Sequence, residues 1–184
     1  MTTTRELRNR PILAVHTGDG KGKTTAAMGM ALRAWAQGWD IGVYQFVKSG
    51  KWRTGEQRAF AELPGDITWE KMGTGWSWSR AFAASQGEPE ELAREGWARI
   101  KEGLAAEQHR FWLLDEFTYP LVWGWLEIDD VLTALTNRPG TQHVVVTGRR
   151  APRALIDAAD LVTEMVPLKH PFQAGQRGQA GIEW

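Results

Sequence analysis

The chain has 184 residues, with 22 Lys and Arg balanced by 22 Asp and Glu for a formal net charge of +0. This length fits one domain with a substantial core, and the charge balance supplies no overall field to hold a polyanion, so nucleic acid is not expected as a partner. Cysteine is absent, which removes disulfides, thiolate metal sites and cysteine nucleophiles and fits a reducing cytoplasm. No segment reaches about 18 consecutive apolar residues, and Met1 to Arg10 is polar with no signal-peptide core. The expectation is a cytoplasmic protein without membrane association, built as a polar segment over 1–10 and one domain over 11–184. Eleven tryptophans are present, and residues this large belong in a core or against a flat ligand.

In chain order, Ile12 to Val15 has the length and apolar character of a strand buried on both faces. The loop Gly18-Asp19-Gly20-Lys21-Gly22-Lys23-Thr24-Thr25 follows, then an alanine-rich helix with Ala26, Ala27, Met30, Ala31, Ala34 and Trp35 at helical spacing and Gly38 as its stop. Strand, glycine-rich turn and helix in this order read as a phosphate cradle, with backbone N–H groups converging on anionic oxygens at the positive end of the helix. The usual phosphate-loop spacing would put its first glycine at Thr17, so the loop is one residue short. It still places Lys23 to reach phosphate oxygens and the Thr24 hydroxyl to ligate Mg2+.

Ile41 to Val47 reads as a second strand, followed by a basic loop carrying Lys48, Lys51 and Arg53. In open α/β sheets ligands bind beyond the carboxyl ends of strands, so these cations either approach the phosphate site or form a solvated face. Glu56 to Leu63 is a short helix and Ile67 to Met72 a third strand, leading into Gly73-Thr74-Gly75-Trp76-Ser77-Trp78. The two indoles of that loop either pack on the protein's own surface or meet a bulky, flat, apolar ligand. Pro89 to Gln108 is a long helix with Leu92, Trp97, Ile100 and Leu104 as its stripe. Phe111 to Leu114 then ends in Asp115 and Glu116, an apolar strand with acids placed to hold the metal or polarise water. A helix through Ile128, Val131, Leu132 and Leu135 precedes a buried strand over Gln142 to Thr147, with Arg149 and Arg150 beyond it as phosphate-binding guanidiniums or surface charges. A helix over Pro152 to Ala159 and a strand over Leu161 to Met165 complete the regular elements, and Gly175 to Trp184 shows no periodicity. His16, His109, His143 and His170 lack metal-ligand spacing. Together the elements predict a single-domain α/β fold of the P-loop NTPase-like, RecA-like kind, with a mostly parallel sheet flanked by helices.

These residues resemble the P-loop type of ATP:corrinoid adenosyltransferase over nearly the whole chain. The resemblance rests on the shortened loop from Gly18 to Thr25, Gln45-Phe46-Val47-Lys48, Gly73 to Trp78, Leu114-Asp115-Glu116, Asn137 to Gly140, Val146 to Arg149, Ala159 to Met165, Lys169-His170 and Gly181-Ile182-Glu183. It implies a homodimer that transfers the 5′-deoxyadenosyl group of ATP to cob(I)alamin or a related corrinoid and releases triphosphate. Gly18, Asp19, Gly20, Lys21, Gly22, Lys23, Thr24, Thr25 and Arg149 would bind ATP in reversed polarity, with Thr24, Asp115 and Glu116 around Mg2+. The nucleophile belongs to the reduced corrinoid, a flavoprotein is the expected reductant, and no protein base is needed. By position, Trp76 and Trp78 correspond to the two aromatics that displace the lower axial donor of cobalt and so ease its reduction, which makes them catalytic with Lys23. Trp76 stands where phenylalanine is common and Asp19 where asparagine is common, and the short segment before the first strand implies a reduced N-terminal lid. Lys23, Thr24, Asp115 and Glu116 alone would suit a small kinase or ATPase, and Lys48, Lys51, Trp52, Arg53 and Arg58 a nucleic-acid-binding ATPase.

Overall fold

The computed structural model describes residues 10–48, 54–73 and 87–183. Its frame is a six-stranded sheet of β1 (Leu13–Thr17), β2 (Ile41–Phe46), β3 (Ile67–Met72), β4 (Phe111–Asp115), β5 (His143–Thr147) and β6 (Leu161–Glu164), in the order β3-β2-β4-β5-β1-β6. Every pairing is parallel, so the sheet is wholly rather than mostly parallel. Parallel neighbours require crossovers, and these are made by α1 (Lys23–Trp35), α2 (Gly55–Ala61), α3 (Glu88–Ala105), the short α4 (Thr118–Val122), α5 (Ile128–Thr136) and α6 (Arg153–Ala158).

Strands covered on both faces must be apolar at nearly every position, which explains the continuous runs in β1, β4 and β5. Along β4, Trp112 and Leu114 point to one face and pack with Trp97, Ile100 and Leu104 of α3 and with Val131 and Leu135 of α5. Phe111 and Leu113 point to the other, against Ala27, Met28, Ala31 and Ala34 of α1. The alanines let that helix lie close to the sheet. On α3 the predicted stripe holds at Trp97, Ile100 and Leu104, whereas Ala93 rather than Leu92 is buried at its start.

β1 runs two residues past the apolar stretch because Thr17 pairs with Glu164, which carries the ladder to the foot of the phosphate loop. Two elements escaped the sequence reading. α4 has five residues and contains Pro120, and a 3-10 turn covers Pro171–Ala174. Neither is long enough to show a helical period. β6 lies at the sheet edge with all four residues exposed. No described helix is long and apolar enough to cross a membrane.

Candidate functional site

The carboxyl ends of β1, β4 and β5 converge on one cluster of polar side chains. The loop between β1 and α1 packs against the backbone that leaves β6: Met165 N–H donates to the Thr17 carbonyl at 2.8 Å and Gly20 N–H donates to the Met165 carbonyl at 2.6 Å. A Cβ on Gly18 would stand 2.5 Å from the Met165 carbonyl oxygen, and one on Gly20 2.6 Å from it. Those two glycines are therefore required by the passing strand end as well as by the loop's own curvature. The Gly20 amide is committed to Met165 in this arrangement, so it faces the strand rather than an incoming oxygen.

Gly22 has φ 108 and stands at the N-cap of α1 with no side-chain hydrogen bond, which leaves the first helical N–H groups without a capping side chain. Lys23 is buried, and its ammonium donates to the carbonyls of Gly18 at 2.8 Å and Gly20 at 2.7 Å. Burial lowers its pKa, opposed by Glu116. Thr25 is exposed on the first turn. Asp19 is exposed and lies 3.8 Å from the Arg149 guanidinium, so its charge is directed at a cation on the β5 loop. Lys21 is paired with Glu183 near the end of the chain.

Asp115 is fully buried at the end of β4 and accepts four side-chain hydrogen bonds: Thr24 Oγ1 and Thr147 Oγ1 on Oδ1, each at 2.7 Å, and Gln45 Nε2 at 2.9 Å and Lys48 Nζ at 2.8 Å on Oδ2. Burial by itself would raise its pKa, but Lys48 and the hydroxyl donors overcome that cost and hold it below the ordinary carboxylate value. Lys48 thus belongs to the site rather than to a solvated face. Gln45, Thr147 and Met165 received no role from the sequence. A usable signal existed for Gln45 and Thr147, which are polar residues inside otherwise apolar strands; a main-chain contact such as that of Met165 has none.

Glu116 is turned to φ 59, its N–H donates to Thr147 Oγ1 at 3.0 Å, and its Oε2 is buried without a hydrogen-bond partner. Burial first, and then the neighbouring Asp115, push its pKa up to about 7. A divalent cation fits this donor set. All its donors are hard oxygens, Thr24 Oγ1 and Asp115 are already in contact, and an orphaned buried carboxylate oxygen stands beside them.

Among the described residues, four non-glycine positions have positive φ, and three of them, Val47, Glu116 and Arg150, directly follow or lie close beyond the carboxyl ends of β2, β4 and β5. For the β-branched Val47 at φ 67 this is a costly conformation. It folds the chain back so that Lys48 meets Asp115, and Gly73 at the end of β3 packs on the Val47 backbone, where a Cβ would come within 2.6 Å. Lys51, Trp52, Arg53, Trp76 and Trp78 lie outside the described residues; Arg58 is exposed in the last turn of α2. A separate apolar cavity of about 300 Å³ is lined by Ile12, Trp39, Phe111 and His143 at the opposite, amino ends of the strands, and plays no part in this cluster.

A parallel sheet with a lysine-bearing glycine loop on its first strand, and a threonine bound to a carboxylate two strands away, defines a P-loop NTPase-like protein. Comparison with known proteins narrows that class. The family model of the ATP:corrinoid adenosyltransferase BtuR/CobO/CobP matches residues 9–184, and the chain belongs to this family. It is 41% identical over 177 residues to a corrinoid adenosyltransferase of Pseudomonas aeruginosa, covering 95% of this chain and 84% of that one. A corrinoid adenosyltransferase of Escherichia coli is 40% identical over 175 residues, with 95% and 86% covered. The corrinoid adenosyltransferase CobA of Salmonella typhimurium is 40% identical over 177 residues at the same coverage.

Proposed function

We propose that this protein transfers the 5′-deoxyadenosyl group of ATP to the cobalt(I) of a corrinoid and releases triphosphate, as an enzyme of adenosylcobalamin biosynthesis or salvage. Family membership across residues 9–184 supports the reaction class. The structural observation that carries the assignment of residues is the Lys23 ammonium held in the mouth of the loop, beside Thr24, Asp115 and Glu116. The loop carbonyls of Gly18 and Gly20 accept its hydrogen bonds, and a triphosphate would offer stronger, charged acceptors to the same ammonium.

In this reaction the electrophile is the ribose 5′ carbon and the whole triphosphate departs, so the protein's task is to stabilise charge on the leaving oxygens. Lys23 and Arg149 supply cationic donors, the Gly22 and Lys23 amides face the anion, and Gly18, Gly20 and Thr25 complete the loop. Thr24, Asp115 and Glu116 would hold Mg2+, which supplies a Lewis acid that neutralises phosphate charge when bound. The cobalt nucleophile makes a protein base unnecessary, which is consistent with a site made of cations, amides and metal-binding oxygens.

Trp76 and Trp78 are assigned to the corrinoid. The loop carrying them leaves the sheet at Gly73, at the same end as the phosphate loop but four strands away from β1. We further assign a homodimer and a flavoprotein reductant, as the family resemblance implies, and a cytoplasmic location, which a sequence without cysteine suits. The test is anaerobic incubation with cob(I)alamin, ATP and Mg2+. Appearance of a photolabile alkylcobalt spectrum is expected; an unchanged corrinoid spectrum would overturn the reading.

A further inference from the structure

The chain beyond β6 touches the phosphate loop twice. It leaves at Met165, whose backbone bonds Thr17 and Gly20, and returns some eighteen residues later to place the Glu183 carboxylate on the Lys21 ammonium. The return is organised locally. Gly181 adopts φ 80, and the amides of Ile182 and Glu183 both donate to the Gln179 carbonyl, at 3.2 and 2.9 Å. Glu183 is largely covered, with its side chain 18% exposed, although residues 171–182 around it are exposed. A carboxylate therefore sits against the loop that, on the function proposed above, has to receive a highly charged polyanion.

We propose that Glu183 is a positioning residue that competes with the triphosphate for Lys21. Without polyphosphate it holds the ammonium and pins the end of the chain to the loop; with polyphosphate bound it yields the ammonium and the end of the chain releases. The reason is electrostatic. Lys21 carries one positive charge, and a triphosphate arriving beside it brings several negative ones, so a carboxylate on the same ammonium is repelled as the stronger acceptors take the hydrogen bonds. The same competition acts in reverse after transfer, when Glu183 can reclaim Lys21 and favour release of the leaving group. This rests on the reading of the loop as a triphosphate site.

Titration of the full-length protein with tripolyphosphate and Mg2+, together with hydrogen–deuterium exchange over residues 176–184, tests the proposal. Glu183→Gln should bind tripolyphosphate about three- to fivefold more tightly than the unaltered chain, the size of effect a partly exposed ion pair supports. Glu183→Asp should stay close to the unaltered chain. Tripolyphosphate should speed exchange at the Ile182 and Glu183 amides of the unaltered protein, whereas Glu183→Gln and Lys21→Met should exchange fast there without it. A purely structural role would make Glu183→Gln bind more weakly. Weaker or unchanged binding by that variant, or exchange that slows or stays constant on binding, would overturn the proposal. Failure of the unaltered protein to bind tripolyphosphate at all would instead overturn the reading of the loop, and this inference with it.

Discussion

A buried carboxylate survives in a fold only when its charge is answered, and Asp115 is answered mainly by Lys48. Replacing Lys48 with Met leaves an unpaired charge at a fully buried position, a change that typically costs about 3 kcal/mol or more. The expected result is a lower urea midpoint for Lys48→Met at pH 7. Because the folded pKa of Asp115 is depressed, this contribution is present above the ordinary carboxylate range and is lost as pH falls through the depressed value, so the gap between the two proteins should narrow in acid. An equal midpoint at neutral pH would show that the pair contributes nothing. The same residue shows what a sequence hides. Lys48 is one of three cations in a basic stretch, and the left-handed turn at Val47 that directs it inward leaves no mark in the sequence.

His109 gives a second titration with the opposite ionic character. It is buried, bonds Tyr44 Oη through Nε2 at 3.0 Å, and burial lowers its pKa to about 4 against the ordinary 6.5, with Asp40 opposing. The unfolded chain binds the proton more readily between those values. Stability should therefore be complete above about pH 6.5 and fall as pH drops toward 4, by about 2 to 3 kcal/mol at pH 4.5 from this group alone. Denaturant unfolding of the unaltered protein and of His109→Gln at pH 7 and pH 4.5 isolates the term. A variant that loses as much stability in acid as the unaltered protein would contradict it.

At the scale of elements, the site depends on how closely strand ends approach the phosphate loop. The methyl group of Gly20→Ala would meet the Met165 carbonyl oxygen at 2.6 Å, a contact between a Cβ fixed by its own backbone and a backbone oxygen, which no rotamer change can relieve. The clash must push the loop off the strand end, and a misplacement of about 1 Å in such a site can cost about 10² in rate, so we expect a loss of that order in adenosyl transfer with Gly20→Ala, read by the alkylcobalt absorbance. Gly42→Ala tests the core separately. Its Cβ would lie 2.3 Å from His109 Cδ2 and 2.8 Å from Tyr44 Cε2, and crowding of that kind costs about 1–3 kcal/mol. Its urea midpoint should fall while any activity that remains keeps the same dependence on ATP. β1, β2, β4 and β5, with α1, α3 and α5, were legible because burial on two faces or one imposes a pattern on the sequence. α4 was not, since five residues around Pro120 carry no period, and the all-parallel pairing is a property of topology that no single strand displays. Among the site residues, the loop and the acids announced themselves by spacing. The Asp19–Arg149 and Lys21–Glu183 pairs join positions 130 and 162 residues apart and become visible only once the sheet brings them together.

At the scale of the whole molecule, the carboxyl ends of the strands carry the Lys23 and Asp115 cluster above β1, β5 and β4, and Gly73 at the end of β3, from which the chain runs on toward Trp76 and Trp78 in sequence. On the proposed function the two serve different steps, charge stabilisation on the nucleotide and preparation of the cobalt. Trp76→Ala and Trp78→Ala should therefore bind ATP nearly as the unaltered protein does, turn over poorly with cob(II)alamin and a weak reductant, and recover with chemically pre-reduced cob(I)alamin. An equal deficit with both corrinoids would assign the indoles to holding the loop together instead.

On the proposed function the triphosphate leaves intact from the ribose carbon, and the phosphorus products report on it directly. Phosphorus NMR of an anaerobic reaction with ATP, Mg2+ and cob(I)alamin should show inorganic triphosphate accumulating one for one with the alkylcobalt product. Accumulation of ADP and orthophosphate without an alkylcobalt species would contradict the account.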